Sequence, residues 1–360
     1  VPAIAVAAEL RASGAEVSFL GTRERIEAEL VPAAGYEIDF IKVRGIDRRN
    51  PLRAAGAAAE AVGAIGSASR VLHDRHTDVV LGGGGFVAGP AGMAATMRRT
   101  PLVLTEADSH LGLANRLLAG RAKRVCLAFP IAGRDGGRYL VTGRPVPDAV
   151  LHANRAQARR RFHIEADASC LLVMGGSQGA HSINLAAIEA FAESGEARDF
   201  HVIHLAGRRD YEELKQRLAA AAQREHYTLL AYEPDLGDVL GACDLVLARS
   251  GGSVFEVTAA GRPAILVPYP YATADHQSAN AAWMTGAGAA EVIEDSALSA
   301  ELLTDRVGGL LGDEARLTAM STASAALARP NAARAIADEV LAAASGATYV
   351  GIDRKRRTGT

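Results

Sequence analysis

Short runs rich in Val, Ile and Leu, several of them ending in glycine, alternate with helical stretches along the whole chain. Pro2 to Ala12 reads as a helix with proline near its start. Strand-like runs follow at "GAEVSFLG" (14–21), "DFIKV" (39–43), "DVVLGGGG" (78–85), "PLVLTEA" (101–107), "RVCLAF" (124–129) and "YLVTG" (139–143). Runs this short and apolar, spaced by helical pattern, predict βαβ units, because a parallel sheet is covered on both faces. The series then restarts. After the charged segment "NRAQARRRFHIEADA" (154–168) come "SCLLVMGGSQGA" (169–180), "FHVIHLAG" (200–207), "YTLLAY" (227–232), "CDLVLARSGG" (243–252) and "PAILVPYP" (263–270). The predicted class is α/β, with two Rossmann-like domains facing across a cleft into which the carboxyl ends of the strands open.

A length of 360 residues exceeds what one core usually holds, in keeping with two domains. The expected boundaries are an N-terminal domain at 1–150, a C-terminal domain at 165–330, a final helix at 331–344 and a disordered basic tail at 345–360. The chain opens directly on a helix-like segment, so a first strand and its Gly-rich loop are expected ahead of Val1. Charge is uneven. Residues 1–150 hold 19 Lys and Arg against 15 Asp and Glu, and residues 151–360 hold 20 against 26, so nets of +4 and −6 make up the total of −2. The basic half suits an anionic membrane surface or a pyrophosphate-linked acceptor. No dense basic stripe points to nucleic acid. Cys126, Cys170 and Cys243 lie in apolar runs without CxxC spacing and read as core thiols. No run of uncharged apolar residues reaches the roughly 18 that a spanning helix needs.

Three motifs carry chemistry. In "VMGGSQGA" a strand ends, Gly175, Gly176, Ser177, Gln178 and Gly179 form a tight turn, and a helix begins. Bare amides and the positive helix end there suit a diphosphate. The pattern is neither GxGxxG nor GxxxxGK[ST], which disfavours a dinucleotide cofactor and phosphoryl transfer from ATP. In "RSGGSVFEVTAAGRPAILVPYP" (249–270) Glu256 sits in the first turn of a helix, where a carboxylate can chelate two vicinal hydroxyls or simply favour the helix dipole. In "ATADHQSANAAWMTGAGAAEVI" (272–293) Asp275, Gln277 and Asn280 cluster at a helix start, able to read sugar hydroxyls. Asp275 reads equally as an N-cap.

In order and spacing these motifs resemble the donor half of the peptidoglycan N-acetylglucosaminyltransferases, which make the disaccharide lipid precursor of the cell wall from its monosaccharide form. The resemblance runs over nearly the whole chain, through "VPAIAVAAEL", "GTRERIEAELVPAAGYEIDFIKVRGI", "DVVLGGGGFVAGP", "GLANRLLA", "AFP" and "GGSQGA". It implies the GT-B fold, with UDP-N-acetylglucosamine held mainly by the C-terminal domain. Gly175, Gly176, Ser177, Gln178 and Gly179 would then meet the diphosphate, Glu256 the ribose hydroxyls, and Gln277 and Asn280 the sugar. Gly84, Gly85 and Phe86, with the segment from Glu106 to Asn115, would face the acceptor, a lipid-linked muramoyl-pentapeptide. The resemblance also implies inversion at the anomeric carbon, no metal or other cofactor, no nucleic acid, other wall-synthesis enzymes as partners, and a peripheral place on the cytoplasmic face of the membrane.

The chain departs from that family at several points. His-Glu-Gln-Asn in the family reads Thr105-Glu106-Ala107-Asp108 here, a tyrosine is Phe86, and an Asn-Pro-Val-Arg run is Arg144-Pro145-Val146-Pro147. The arginine lost at Pro147 leaves Arg144 as the candidate phosphate ligand. The loop before Glu256 is one residue shorter. The family's histidine belongs ahead of Val1, so the catalytic candidates within the chain are Glu106, which keeps its family position, with Asp108 and His110 as bases. "KVRGIDRRNPLR" sets Lys42, Arg44, Arg48, Arg49 and Arg53 beside Ile46 and Leu52, a pattern suited to an anionic leaflet. Three rival readings stand beside this one: a GT-B transferase with a different acceptor, a UDP-sugar 2-epimerase of the same fold, and a non-catalytic nucleotide-sugar-binding scaffold.

Overall fold

The computed structural model describes residues 2–43, 51–176, 179–194, 199–222, 224–272 and 275–346, with the side chains of 51–61 left out. Ser177, Gln178, Arg44, Ile46, Arg48 and Arg49 therefore lie outside the described residues, as do the side chains of Leu52 and Arg53 and most of the expected tail. Two compact units are present. One comprises Gly143–Ala332 with Val1–Pro2, the other Ala3–Thr142 with Ala333–Thr360.

The N-terminal unit runs α1 (Pro2–Ala12), β1 (Ser18–Gly21), α2 (Glu27–Ala33), β2 (Glu37–Phe40), α3 (Pro51–Asp74), β3 (Val80–Gly82), α4 (Gly85–Arg98), β4 (Leu102–Glu106), α5 (Leu113–Leu118), β5 (Arg124–Leu127) and β6 (Tyr139–Val141). Its strands form two separate parallel pieces, β1–β2 and β3–β4–β5–β6. Successive side chains of a strand point to opposite faces. Leu102 and Leu104 accordingly join a cluster with Ile41, Leu72 and Leu127, while Val103 and Cys126 join one with Val6 and Leu10. Both faces of β4 and β5 are covered, which is why Leu102–Leu104 and Val125–Leu127 are apolar without a break. Strand β2 ends at Phe40, earlier than the expected 39–43, because its partner β1 ends at Gly21. Ile41 still donates its amide to Gly21 O at 3.0 Å, then turns its side chain into the core.

The other unit runs α6 (Asp148–Leu151), α7 (Arg155–Arg161), β7 (Ser169–Met174), α8 (His181–Ile188), β8 (Phe200–Leu205), α9 (Tyr211–Ala220), β9 (Tyr227–Leu230), α10 (Leu236–Ala242), β10 (Leu245–Ala248), α11 (Val254–Ala259), β11 (Ala264–Leu266), α12 (His276–Gly286), β12 (Ala290–Val292), α13 (Ala300–Leu311) and α14 (Glu314–Leu327). The last helix, α15 (Ala332–Ala344), returns to the N-terminal unit. There Ile336 and Val340 pack beside Val6 and Val103, and Glu339 Oε2 pairs with Arg124 Nε at 2.7 Å.

Six parallel strands lie in the order β12-β11-β10-β7-β8-β9. Chain direction across the sheet reverses between β7 and β10: β8 and β9 extend to one side of β7, and β10 to β12 to the other. In an open α/β sheet the loops at such a reversal part from each other and leave a crevice at the carboxyl ends of the strands. The charged segment before β7 is a clamp on this sheet. Arg159 Nη1 donates to the carbonyls of Glu165, Ala166 and Ala168, and its Nη2 reaches Asp244 Oδ2 at 2.7 Å. Asp244 in turn accepts from the Cys170 amide at 2.9 Å. All three cysteines are free and buried, and burial pushes the thiols of Cys126 and Cys243 up to about 12.

Candidate active site

The two loops that follow β7 and β10 are the ones the sequence marks with glycines. After β7, Gly179 adopts φ +75°, and a Cβ there would lie 2.3 Å from Ala206 O, so only glycine lets the chain cross the end of β8. A Cβ on Gly175 would meet the Ala180 amide at 2.2 Å. Ala180, at the cap of α8, carries no side-chain oxygen to cover the first amides of the helix.

Behind this turn sits a buried chain of hydrogen bonds. Asn184 Nδ2 donates to Ala206 O and to Asp210 Oδ2, both at 2.8 Å. Its Oδ1 lies 3.0 Å from His204 Nε2, and His204 Nδ1 lies 2.6 Å from the Tyr227 hydroxyl. With both Asn184 protons donated, Oδ1 must accept, so the His204 proton is on Nε2 and Tyr227 donates to Nδ1. Burial pushes His204 down to about 3, so it is neutral under ordinary conditions. None of this relay was singled out from the sequence. The available signal was a polar residue set among apolar neighbours, Asn184 between Ile183 and Leu185 and His204 between Ile203 and Leu205.

The loop after β10 is braced from three sides. Arg249 donates to Val267 O at 3.1 Å and to Ser182 Oγ at 2.8 Å, and pairs with Asp295 at 2.6 Å. Ser250 Oγ donates to Gln277 O, Asn280 Nδ2 donates to Ser250 O, and Gln277 Oε1 accepts from the Tyr269 amide. The structure thus makes Gln277 and Asn280 struts of this loop, and Asn280 Oδ1 is buried without a partner among the described residues. Asp275 is not a side-chain cap. It sits at φ +53°, and its carboxylate accepts from Ser278 Oγ.

At the head of α11 the Arg144 guanidinium fills the space a Cβ on Gly252 would take, with Nη1 2.0 Å from that position. Glu256 stands in the first turn of the helix. Glu256 Oε2 and Arg144 Nε are both buried and have no hydrogen-bond partner among the described residues. Burial raises the Glu256 carboxyl above its ordinary value, and the charge of Arg144 works against that rise. A buried acceptor and a buried donor, both unmet, fit a ligand that offers hydroxyls to one and an acceptor oxygen to the other.

In the N-terminal unit, Gly84 caps α4 with φ +78° and ψ −170°. Asn115 lies beside it and donates to Thr105 O and Glu106 Oε2, both at 2.9 Å. Glu106 also accepts from the amides of Gly112 at 2.8 Å and Asp108 at 3.3 Å. This changes the reading of Glu106. Its carboxylate is occupied in holding its own loop, and that loop carries the half-buried Asp108 and His110. Phe86 is half exposed, with the Arg25 guanidinium 4.9 Å from its ring centroid. Gly85 follows at φ +75°. Among the described residues no group of three or more His, Cys, Asp or Glu is arranged to hold a metal.

Comparison with known proteins gives this geometry a family. The glycosyltransferase family 28 N-terminal domain matches residues 1–127, and the family 28 C-terminal domain matches residues 170–337. The UDP-N-acetylglucosamine–N-acetylmuramyl-(pentapeptide) pyrophosphoryl-undecaprenol N-acetylglucosamine transferase of Methylococcus capsulatus is 39% identical over 340 residues, 93% of each chain. The transferase of the same name from Moorella thermoacetica is 37% identical over 350 residues, 94% of each chain. Among solved structures, MurG of Acinetobacter baumannii superposes with a TM-score of 0.77 at 28% identity, covering 94% of this chain and 95% of its own. The two Rossmann-like units are those of the GT-B fold, and the chain belongs to glycosyltransferase family 28, among the undecaprenol-linked N-acetylglucosamine transferases.

Proposed function

We propose that this chain moves N-acetylglucosamine from UDP-N-acetylglucosamine to the muramyl-(pentapeptide) pyrophosphoryl-undecaprenol lipid, with inversion at the anomeric carbon. One observation carries the reading: the adjacent strands β7 and β10 lead to bare amides at the head of α8 and to Glu256 on α11, where Arg144 comes in from the segment before α6, and Glu256 Oε2 and Arg144 Nε are both buried without a partner among the described residues. Glu256 takes the ribose hydroxyls, the turn at Gly175–Gly179 takes the diphosphate, and Arg144 supplies an N–H to the nucleotide. Gln277 and Asn280 shape the sugar end of the pocket through the loop they brace. In the reaction a sugar hydroxyl of the acceptor attacks the anomeric carbon, a base removes its proton, and the bond to the diphosphate oxygen breaks with its electron pair going to UDP. Helix-end amides stabilise that leaving charge, so no metal is required. Asp108 and His110 are the base candidates, with Gly84, Gly85, Phe86 and Asn115 on the acceptor side.

The same reading places the protein peripherally on the cytoplasmic face of the membrane. It is supported by Leu113 and Leu117 of α5, 41% and 60% exposed beside Arg116 and Arg121, a combination suited to an anionic leaflet. No helix among the described residues is long and apolar enough to cross a membrane.

The test is incubation of the protein with labelled UDP-N-acetylglucosamine and the muramyl-pentapeptide lipid in anionic vesicles containing excess EDTA. A labelled disaccharide lipid with a β linkage is expected. UDP binding without that product would point to a different acceptor or a scaffold role. Release of UDP with an epimerised sugar and no acceptor would make the chain an epimerase.

A further inference from the structure

The buried relay under α8 comes to the surface at a histidine that the donor-site reading leaves unused. His181 is the first residue of α8, two past Gly179, and its side chain is 52% exposed. Its Nδ1 lies 3.3 Å from Asp210 Oδ2. Asp210 is the residue ahead of α9, yet it does not cap that helix with its side chain. Its carboxylate turns inward, accepting from Asn184 Nδ2 at 2.8 Å and Arg209 Nε at 2.8 Å. The Arg209 guanidinium, with the hydrogen bonds of Asn184 and His181, holds the Asp210 carboxyl below the usual carboxylate range. Asp210 is thus a fixed anion, anchored through Asn184 to the carbonyl of Ala206 that Gly179 crosses.

On the basis of the donor-site reading, we propose that His181, oriented by Asp210, is a further ligand of the sugar-nucleotide diphosphate. When Nδ1–H donates to the carboxylate, Nε2 is the nitrogen left for a phosphate oxygen, and it donates only when it too carries a proton. Occupancy by the diphosphate therefore draws a proton onto His181, and the imidazolium stands between two anions. When the anomeric bond breaks, its electron pair passes to the diphosphate oxygen, and His181 meets the added charge with a hydrogen bond already in place.

The surroundings permit this. Asp210 and Arg209 face the histidine from the start of α9. On α8 itself the next residue, Ser182, is tied to the Arg249–Asp295 pair. His204 of β8 is buried and neutral, and from α13 the apolar Leu303 and Val307 join Ile183 of α8 in the core. Asp210 is the anion placed to support the charge.

Calorimetry separates this role from a structural one. UDP-N-acetylglucosamine, whose esterified diphosphate carries no titrating proton near neutrality, and uridine are each titrated into the full chain in buffers of different ionisation enthalpy. The sugar nucleotide should take up a proton on binding and bind more tightly as pH falls, whereas uridine should do neither. His181→Gln should abolish the uptake and weaken the sugar nucleotide about 10-fold or more while leaving uridine unchanged. His181→Arg should restore affinity without proton uptake. Unchanged affinity and uptake in His181→Gln, or an equal loss for both ligands, overturns the proposal. Failure of the unaltered protein to bind the sugar nucleotide overturns the donor-site reading instead.

Discussion

Each unit places a glutamate near a Gly-rich turn, Glu106 buried and Glu256 half-buried, and the two are in opposite states. Glu106 spends its carboxylate on Asn115 and two amides of its own loop. Glu256, with one oxygen buried and unmet among the described residues, is raised above its ordinary value because burial disfavours its charge. A satisfied buried carboxylate holds structure together. An unsatisfied one is a cost to the empty protein that a ligand can relieve. The turns differ in the same sense: a Cβ on Gly179 runs into the Ala206 carbonyl, whereas one on Gly84 would find nothing nearer than Asn115 Nδ2 at 3.8 Å.

The sharpest break in this comparison comes from the glycines. Gly179→Ala should displace the turn or the end of β8 and lower UDP affinity by about 100-fold or more, on the scale of a backbone clash at a strained position. Gly84→Ala, strained but unobstructed, should leave UDP affinity unchanged and lower stability by about 1–3 kcal/mol. Calorimetry and thermal melting distinguish the two. Comparable losses of UDP binding would show that the turns do not differ as described.

Next come the carboxylates. Glu256→Gln should weaken UDP by about 10- to 100-fold, since it removes a charged acceptor for hydroxyls. Glu106→Gln should leave UDP affinity alone and destabilise the protein by about 2 kcal/mol, because an amide nitrogen would then face donors.

The smallest effect is the most diagnostic. Because the native Glu256 carboxyl is raised, the folded state holds its proton more tightly than the unfolded one. The stability lost through its ionisation is thus largest above the native value and disappears as pH falls below the unfolded value. Glu256→Gln should therefore be more stable than the unaltered protein at neutral pH, on the order of 1 kcal/mol, and the gap should close in acid. A variant less stable at pH 7 would place Glu256 with Glu106 as a structural residue.

The parallel strands and their turns were legible because burial on both faces and a tight crossing leave local marks, an apolar run and a glycine. Glu256 was legible from its place in the first turn of a helix. Asn184, His204 and Tyr227 were not, since their partnership depends on β7, β8 and β9 lying side by side, and no local pattern encodes strand order. The Arg144–Gly252 contact joins residues more than 100 positions apart and was hidden for the same reason. Glu106 could be located from sequence, but its role could not, because only the fold brings Gly112 and Asn115 onto its oxygens.

Helix α15 makes the first unit to be synthesised the last to be finished. A nascent chain that has emerged through Thr142 lacks Ile336 and Val340, and Arg124 waits for Glu339 across 215 positions of sequence. The face of the sheet that carries Val103 and Cys126 is therefore covered on that side only once α15 has been made.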